Sequence, residues 1–284
     1  MKLRIIETGL FKLDGGAMFG VVPKVMWKKI NPPDDHNLCT WAMRCLLVDT
    51  GDRRILIDTG MGDKQDEKFR SHFHPHGDTD LLLSLANKGY TPAEITDVLL
   101  THMHFDHVGG AVRYVGEDLV PTFPNATYWT SEAHYNWAMD PNPREAASFL
   151  KENIEPLREA GQLKFIPESE KDVEWIPGIR LRFVYGHTEA MMLPIITYNG
   201  RTLVFCADLI PSAGHLGLPY VMSYDLRPLN TMDEKKRMLE EALEHHYVLF
   251  FEHDPRISCI SIQRNERGRI AMKEMVDAEQ LFGS

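Results

Sequence analysis

The sequence is poor in cysteine and has no surplus of basic residues. It contains four cysteines, none at the spacing of a zinc site and most of them in apolar runs: Cys39, Cys45, Cys206 and Cys259. We therefore expect buried free thiols in a reducing compartment. Basic residues number 31 against 41 acidic ones, which gives a net charge of -10. Because phosphate binding needs a basic surface, this balance argues against a nucleic-acid partner.

Long apolar runs and low-complexity segments are also absent. The N-terminal stretch 1–7 has no continuous apolar core of a secretion signal, and no run reaches the length that spans a membrane. We therefore expect a cytoplasmic protein with no membrane partner. Hydrophobic residues make up 43% of the 284 residues, and no Ser/Gly-rich linker divides them. We expect one domain over residues 1–284.

Three histidines and one aspartate fall within six residues, at His102, His104, Asp106 and His107. The β-branched and apolar run 95–101 before them predicts a buried strand. Two histidines spaced by two on an extended backbone project to one side and can share a metal ion. Asp106 and His107 then reach a second ion from a turn, with a helix expected to start in 108–114. The cluster predicts a metal site.

Two stretches of the chain follow one plan. Residues 44–60 and 194–208 each read as two apolar strands around a turn, Thr50-Gly51-Asp52 in the first and Asn199-Gly200 in the second. Each unit ends in an aspartate at a strand end, Asp58 and Asp208. We infer two similar halves, each contributing a sheet.

The histidine cluster resembles the metal-binding signature of the metallo-β-lactamase superfamily. The resemblance implies an α+β fold, a four-layer αββα sandwich with the metal site at the strand ends between the two sheets. It implies two divalent ions held by seven side chains: His102, His104, His187, Asp106, His107, Asp208 and His253. It also implies that Asp58 accepts a hydrogen bond from a ligand histidine. The alternative for Asp58 is a cap on the Thr59-Gly60 turn.

Five imidazoles and two carboxylates without a thiolate suit Zn²⁺ best, with Mn²⁺, Co²⁺ and Fe²⁺ as alternatives. Two such ions can hold a bridging hydroxide at neutral pH and polarise a carbonyl or phosphoryl oxygen. Water is then the nucleophile of a hydrolase. Asp106 and Asp208 are the carboxylates expected to handle protons as catalytic groups.

The glycine-flanked segment 14–27 carries more large apolar side chains than a solvated loop should expose. It resembles the superfamily branch of N-acyl-homoserine lactone lactonases, the quorum-quenching enzymes, and methyl-parathion-type hydrolases. We expect the segment to pack on the core, to contact a second subunit in a homodimer, or to line a substrate pocket. The pocket candidates are Met18, Phe19, Trp27, Tyr220 and Tyr224. The two tyrosines are included because Pro211 stands where lactonases of this branch carry a tyrosine.

The leading function is therefore a zinc lactonase acting on a small lactone. An organophosphate or aryl ester hydrolase is the alternative within the branch, and a metal-binding scaffold or sensor without activity is the alternative from another class. Helical patterns in 131–161 either overhang the site as a lid or pack as amphipathic helices, with packing favoured. The pattern in 143–160 predicts one helix kinked at Pro156 or two short ones.

Overall fold

The structure is a computed structural model that describes residues 1–283. The strands, in chain order, are β1 (Lys2–Asp14), β2 (Leu38–Asp49), β3 (Arg54–Ile57), β4 (Asp97–Leu99), β5 (Val112–Val115), β6 (Asp118–Pro121), β7 (Thr127–Ser131), β8 (Leu163–Ile166), β9 (Val173–Ile176), β10 (Ile179–Val184), β11 (Met191–Tyr198), β12 (Arg201–Phe205), β13 (Val248–Phe250), β14 (Cys259–Arg264) and β15 (Ile270–Met275). The helices are α1 (Gly15–Phe19), α2 (Lys24–Trp27), α3 (Glu67–Phe73), α4 (Leu81–Asn87), α5 (Phe105–Val108), α6 (Glu132–Met139), α7 (Glu155–Glu159), α8 (Pro228–Glu244) and α9 (Ala278–Gly283). Short 3₁₀ turns lie at Pro92–Glu94, Gly109–Ala111, Lys151–Asn153, Ala207–Leu209 and Ala213–His215.

The chain divides into two compact units. The first unit consists mainly of Met1–Gly9 and Met43–Glu170, and the second mainly of Leu10–Ala42 and Lys171–Phe282. That residues 1–284 behave as one domain stays a prediction.

A six-stranded sheet with the order β1-β2-β3-β4-β7-β8 carries the core of the first unit. The predicted hairpin is present, with β2 antiparallel to β3 and Leu46 opposite Ile57. From β3 onward the strands are parallel. Parallel strands are covered on both faces, which explains why β3 and β4 read as continuous apolar runs. Leu56, Val98 and Tyr128 belong to the buried cluster that results.

A seven-stranded sheet with the order β15-β14-β13-β12-β11-β10-β9 forms the second unit. Its only parallel pair among the described residues is β12 with β13. The predicted β11–β12 hairpin turns at Asn199 and Gly200, whose φ angles of 51° and 72° are those of a type I′ turn. Strands β14 and β15 form a further antiparallel hairpin.

Two predictions of local structure are wrong. No helix starts in 108–114 as expected. The short helix α5 begins earlier and ends at Val108, and Val112–Val115 is a strand, because β-branched and aromatic residues there favour extended backbone. The single kinked helix expected in 143–160 is also wrong, whereas its alternative of two short helices matches the 3₁₀ turn Lys151–Asn153 followed by α7. Pro156 lies in the first turn of α7, where its missing N–H costs nothing, so the helix begins there.

The burial of the cysteines agrees with the expectation drawn from the sequence. All four cysteines are buried thiols that form no disulfide within residues 1–283. Over residues 1–283, no helix has both the length and the apolar character needed to cross a bilayer.

A fully buried lysine ties α8 to the segment after β12. Lys235 Nζ donates to the carbonyl oxygens of His215, Gly217 and Tyr220 at 3.1, 3.0 and 2.8 Å. Burial lowers the pKa of Lys235 to about 8, but the three carbonyls satisfy all three of its donors. The ammonium group therefore holds the segment 215–220 in one conformation.

Replacing Lys235 by methionine should destabilise the protein by about 2–4 kcal/mol, since the apolar chain remains while three buried carbonyls lose their donor. Urea unfolding of Lys235→Met against the exposed neighbour Lys236→Met measures the effect. The control should change stability by less than about 0.5 kcal/mol. Equal stabilities of the two variants would show that the buried ammonium holds nothing in place.

Candidate metal centre

The first half-site, defined as His102, His104, Asp106 and His107, follows the end of β4. His102 Nε2 lies 3.1 Å from His104 Nδ1, and both side chains are buried. Tetrahedral zinc with Zn–N bonds of about 2.0–2.1 Å places two ligand nitrogens about 3.3 Å apart. The two imidazoles therefore already have the separation that a shared ion requires.

Close backbone packing fixes the second part of this motif. Thr59 N and Thr59 Oγ1 both donate to the carbonyl oxygen of His107 at 2.8 Å. A Cβ atom added at Gly109 would lie 1.9 Å from Met61 O, so only glycine permits this approach. The glycine after the histidines thus serves a contact between chain segments.

Asp58 follows β3 with a φ of 57° and is fully buried. Its Oδ1 accepts from Thr101 N at 2.7 Å, and its Oδ2 accepts from Thr101 Oγ1 at 2.6 Å. Oδ2 also lies 3.2 Å from His107 Nδ1. Because a carboxylate only accepts, His107 carries its proton on Nδ1, which leaves Nε2 for a metal ion. Nε2 lies 3.8 Å from Asp106 Oδ2.

Glu145 orients His104, a contact that the sequence analysis did not predict. Its Oε1 lies 3.3 Å from His104 Nε2, and the side chain is only 3% exposed. Its Oε2 accepts from Trp137 Nε1 and Asn142 Nδ2, each at 2.7 Å. Because the carboxylate of Glu145 accepts, His104 carries its proton on Nε2, and its unprotonated Nδ1 faces His102. The contact joins residues 41 positions apart, which no local pattern reveals.

The second half-site, defined as His187, Asp208 and His253, lies wholly within the second unit. Asp208 sits in the 3₁₀ turn after β12. Its Oδ2 lies 3.0 Å from His187 Nε2, and its Oδ1 lies 3.0 Å from His253 Nε2. One buried carboxylate therefore faces two imidazoles, with a different oxygen toward each.

In both imidazoles the nitrogen that faces away from Asp208, Nδ1, donates a hydrogen bond to an oxygen. His187 Nδ1 donates to Asp225 Oδ1 at 2.8 Å, and His253 Nδ1 donates to the carbonyl oxygen of Ala42 at 2.8 Å. Both rings thus present Nε2 to Asp208. Asp225 was not predicted, since it is 38 residues from His187 in the chain.

Charge around His187 favours a cation. Burial opposes protonation of this imidazole, but the carboxylates of Asp208 and Asp225 outweigh burial and raise the pKa of His187 to about 10. A positive charge between His187 and Asp208 is therefore stabilised in this pocket of the second unit. Divalent metal ions meet the same requirement, and their binding displaces the proton.

The segment 14–27 is helical, whereas the sequence suggested a loop. The Asp14 side chain caps α1 by accepting from Ala17 N at 2.8 Å, a signal that marks helix N-termini. Phe19 stacks on Trp27 and on His215, with ring centroids 5.4 and 4.6 Å apart. This is packing within the second unit, one of the outcomes expected for the segment.

The predicted pocket residues differ in exposure. Met18, Phe19 and Trp27 are buried, Tyr220 is half-buried and Tyr224 is exposed. Their place in a substrate pocket stays a prediction.

A model of the metallo-β-lactamase superfamily matches residues 44–253. The chain therefore belongs to this superfamily, and its two large sheets with accompanying helices confirm the predicted α+β fold class. The His and Asp groups described above are able to bind metal ions.

Relatives in sequence and structure point to hydrolases. An N-acyl homoserine lactonase from Bacillus cereus is 26% identical over 274 residues, which cover 89% of this chain and 93% of the relative. A probable metal-dependent hydrolase from Staphylococcus aureus superposes with a TM-score of 0.85 at 28% identity, covering 97% and 98% of the two chains. AidC, a dizinc quorum-quenching lactonase, superposes with a TM-score of 0.77 at 22% identity, covering 97% and 95%.

Replacing Glu145 by glutamine should weaken zinc binding about 10- to 100-fold, because the neutral amide no longer makes His104 more basic through its outer nitrogen. Competition with a chromogenic chelator measures the zinc affinity. The matched control is Glu152→Gln at an exposed position of the same region. The orienting role is refuted if both variants bind zinc as the unmodified protein does.

Proposed function

We propose that the protein is a binuclear zinc hydrolase that opens lactone rings, with acyl-homoserine-lactone-like molecules as its leading substrate class. The observation that carries the proposal is the carboxylate of Asp208, whose two oxygens each lie 3.0 Å from a different imidazole nitrogen. A carboxylate placed in this way is suited to bridging two cations. Membership of the superfamily and the lactonase relative support the same reading.

The proposed ligand set joins the two half-sites. His102, His104 and His187 would hold one ion, Asp106, His107 and His253 would hold the other, and Asp208 would be shared by both. The donor chemistry fits, since all five imidazoles and both carboxylates are buried or nearly so. Four of the histidines have their remaining nitrogen within 3.3 Å of a carboxylate or carbonyl oxygen. Such partners fix the ring orientation and raise the basicity of the ligand nitrogen. Zinc is the preferred metal because five of the seven proposed ligands are imidazoles and the other two are carboxylates.

Two divalent ions supply a water-derived nucleophile at neutral pH and polarise the substrate carbonyl. The chain's own contribution is positioning and proton transfer. Asp106 keeps partial contact with solvent, at 8% exposure, and can pass a proton outward. Asp208 is the second carboxylate proposed to handle protons, taking the proton that the water-derived nucleophile loses and passing it to the alkoxide that leaves as the ring opens.

Substrate choice within the branch depends on the segment after Asp208. Pro211 is buried where lactonases of this branch carry a tyrosine, and this difference is the observation that keeps an organophosphate or aryl ester hydrolase as the second candidate. We propose Tyr220 as the replacement hydroxyl, because it is the less exposed of the two nearby tyrosines. Val21, Val25 and Met26 are exposed on the N-terminal segment and suit a homodimer contact.

Chelation followed by zinc restoration tests the proposal. Hydrolysis of N-hexanoyl-homoserine lactone should fall to background after metal removal and return when zinc is added back. Ring opening releases acid, so a pH indicator follows it continuously.

Paraoxon, measured in the same protein batches, separates the two substrate classes. Rapid paraoxon turnover with negligible lactone turnover would show that the protein is a phosphotriesterase and not a lactonase. If zinc-loaded protein hydrolyses neither compound, the enzyme proposal is contradicted and the metal-binding scaffold is the remaining alternative.

A further inference from the structure

A further buried histidine, His134, lies against the first half-site. It is 0% exposed and sits in the first turn of α6, where its backbone N–H donates to the side chain of the N-cap residue, Ser131 Oγ, at 3.0 Å. Among residues 1–283, the groups of side chains that are able to hold a metal ion do not include His134. The start of a helix therefore fixes an imidazole that is not itself a candidate ligand.

The imidazole of His134 holds the backbone between two candidate ligands. Its Nε2 accepts a hydrogen bond from the N–H of Met103 at 2.7 Å. Because this nitrogen accepts, it carries no proton, and the neutral ring has its proton on Nδ1. Met103 is 0% exposed and stands between His102 and His104 in the chain. Removing the imidazole would leave a buried N–H without this acceptor, which is unfavourable.

This contact is the middle one of three along the segment that carries the two ligands. Strand β4 has ended before this segment, and the backbone N–H groups find acceptors in other parts of the chain. Thr101 N donates to Asp58 Oδ1 at 2.7 Å, and Phe105 N donates to the carbonyl oxygen of Ser148 at 2.9 Å. The imidazole of His134 holds the residue midway between these two fixed points.

Ring contacts connect His134 to the side chains of the same two ligands. The ring centroids of His134 and His102 lie 6.2 Å apart. The ring of Phe149 lies 5.8 Å from that of His134 and 4.8 Å from that of His104. His134 therefore contacts one ligand imidazole directly and the other through Phe149.

We propose that His134 is a positioning residue of the metal centre, which fixes the backbone between two ligands by accepting from the N–H of Met103. The contact keeps His102 Nε2 and His104 Nδ1 3.1 Å apart, a separation that suits a shared ion. The inference rests on the metal site proposed above but not on any substrate. Metal binding measured without substrate therefore tests it separately from the hydrolase proposal.

The zinc affinities of two variants at position 134, measured by competition with a chromogenic chelator, test this role. His134→Phe keeps a ring but offers no acceptor, and it should bind at least one zinc ion about 10- to 100-fold more weakly, as expected for a residue that orients metal ligands. His134→Gln carries an amide oxygen that can accept the same hydrogen bond. Its zinc affinity should stay closer to that of the unmodified protein than to that of His134→Phe.

Cobalt substitution reports the geometry at the metal directly. The visible absorption bands of bound Co²⁺ depend on the arrangement of its ligands. The bands of His134→Phe should differ in position or intensity from those of the unmodified protein, and His134→Gln should retain them.

A control in the same helix separates positioning from general loss of stability. Ala138→Gly weakens α6, because glycine is the poorer helix former, but it leaves the acceptor for Met103 in place. It should bind zinc as the unmodified protein does. If His134→Phe does not fold, His134→Asn replaces it, because the shorter side chain withdraws the acceptor from Met103 N.

Three results would overturn the positioning role. The first is full zinc affinity in the variant without the acceptor, and the second is an equal loss of affinity in His134→Gln. The third is an equal loss in Ala138→Gly, which would reduce the effect to helix stability. An unmodified protein that binds no zinc would remove the metal centre and this role together, whereas a zinc-binding protein without hydrolase activity would leave the role intact.

Discussion

The carboxylate of Asp208 is the group on which the account of this protein depends. It is buried, it stands at the end of a strand, and it faces His187 and His253 with separate oxygens. Moving such a group out of water is unfavourable unless positive charge compensates it. In the metal-free state a proton on His187 supplies part of that charge, as its raised pKa indicates. The pair of divalent cations that we propose would supply more, and the two oxygens of the carboxylate already face different imidazoles.

The same kind of contact orients four of the five candidate histidines. Each ring has one nitrogen toward the proposed metal position and the other on an oxygen acceptor: Glu145 for His104, Asp58 for His107, Asp225 for His187 and the Ala42 carbonyl for His253. Three of these acceptors are buried carboxylates, and their charge strengthens the imidazoles as ligands. The rigidity of the arrangement comes from the backbone, where Thr59 and Gly109 bring two segments of the first unit into direct contact. The fixed positions of these candidate ligands follow from packing and hydrogen bonding together.

Much of the fold could be predicted from local patterns. Alternating or continuous apolar runs gave most strands, and the Asn199-Gly200 pair predicted its hairpin turn, because such signals act within a few residues. The helix expected after His107 was wrong, because the glycines there serve a tertiary contact and Val112 favours a strand. The chemistry of the candidate ligands was visible in residue type and spacing. Glu145 and Asp225 could not be predicted. Glu145 is 41 residues from His104 and Asp225 is 38 residues from His187, so only the folded chain brings each pair together.

Metal content is the most direct test of a site shared by two cations. Elemental analysis of protein purified without added metal and then saturated with zinc should give about two ions per chain, and Asp208→Asn should hold fewer than two. The exposed change Asp233→Asn serves as the matched control and should keep both ions. A stoichiometry of one in the unmodified protein, or full retention of two ions by Asp208→Asn, would contradict the bridging role assigned to this carboxylate.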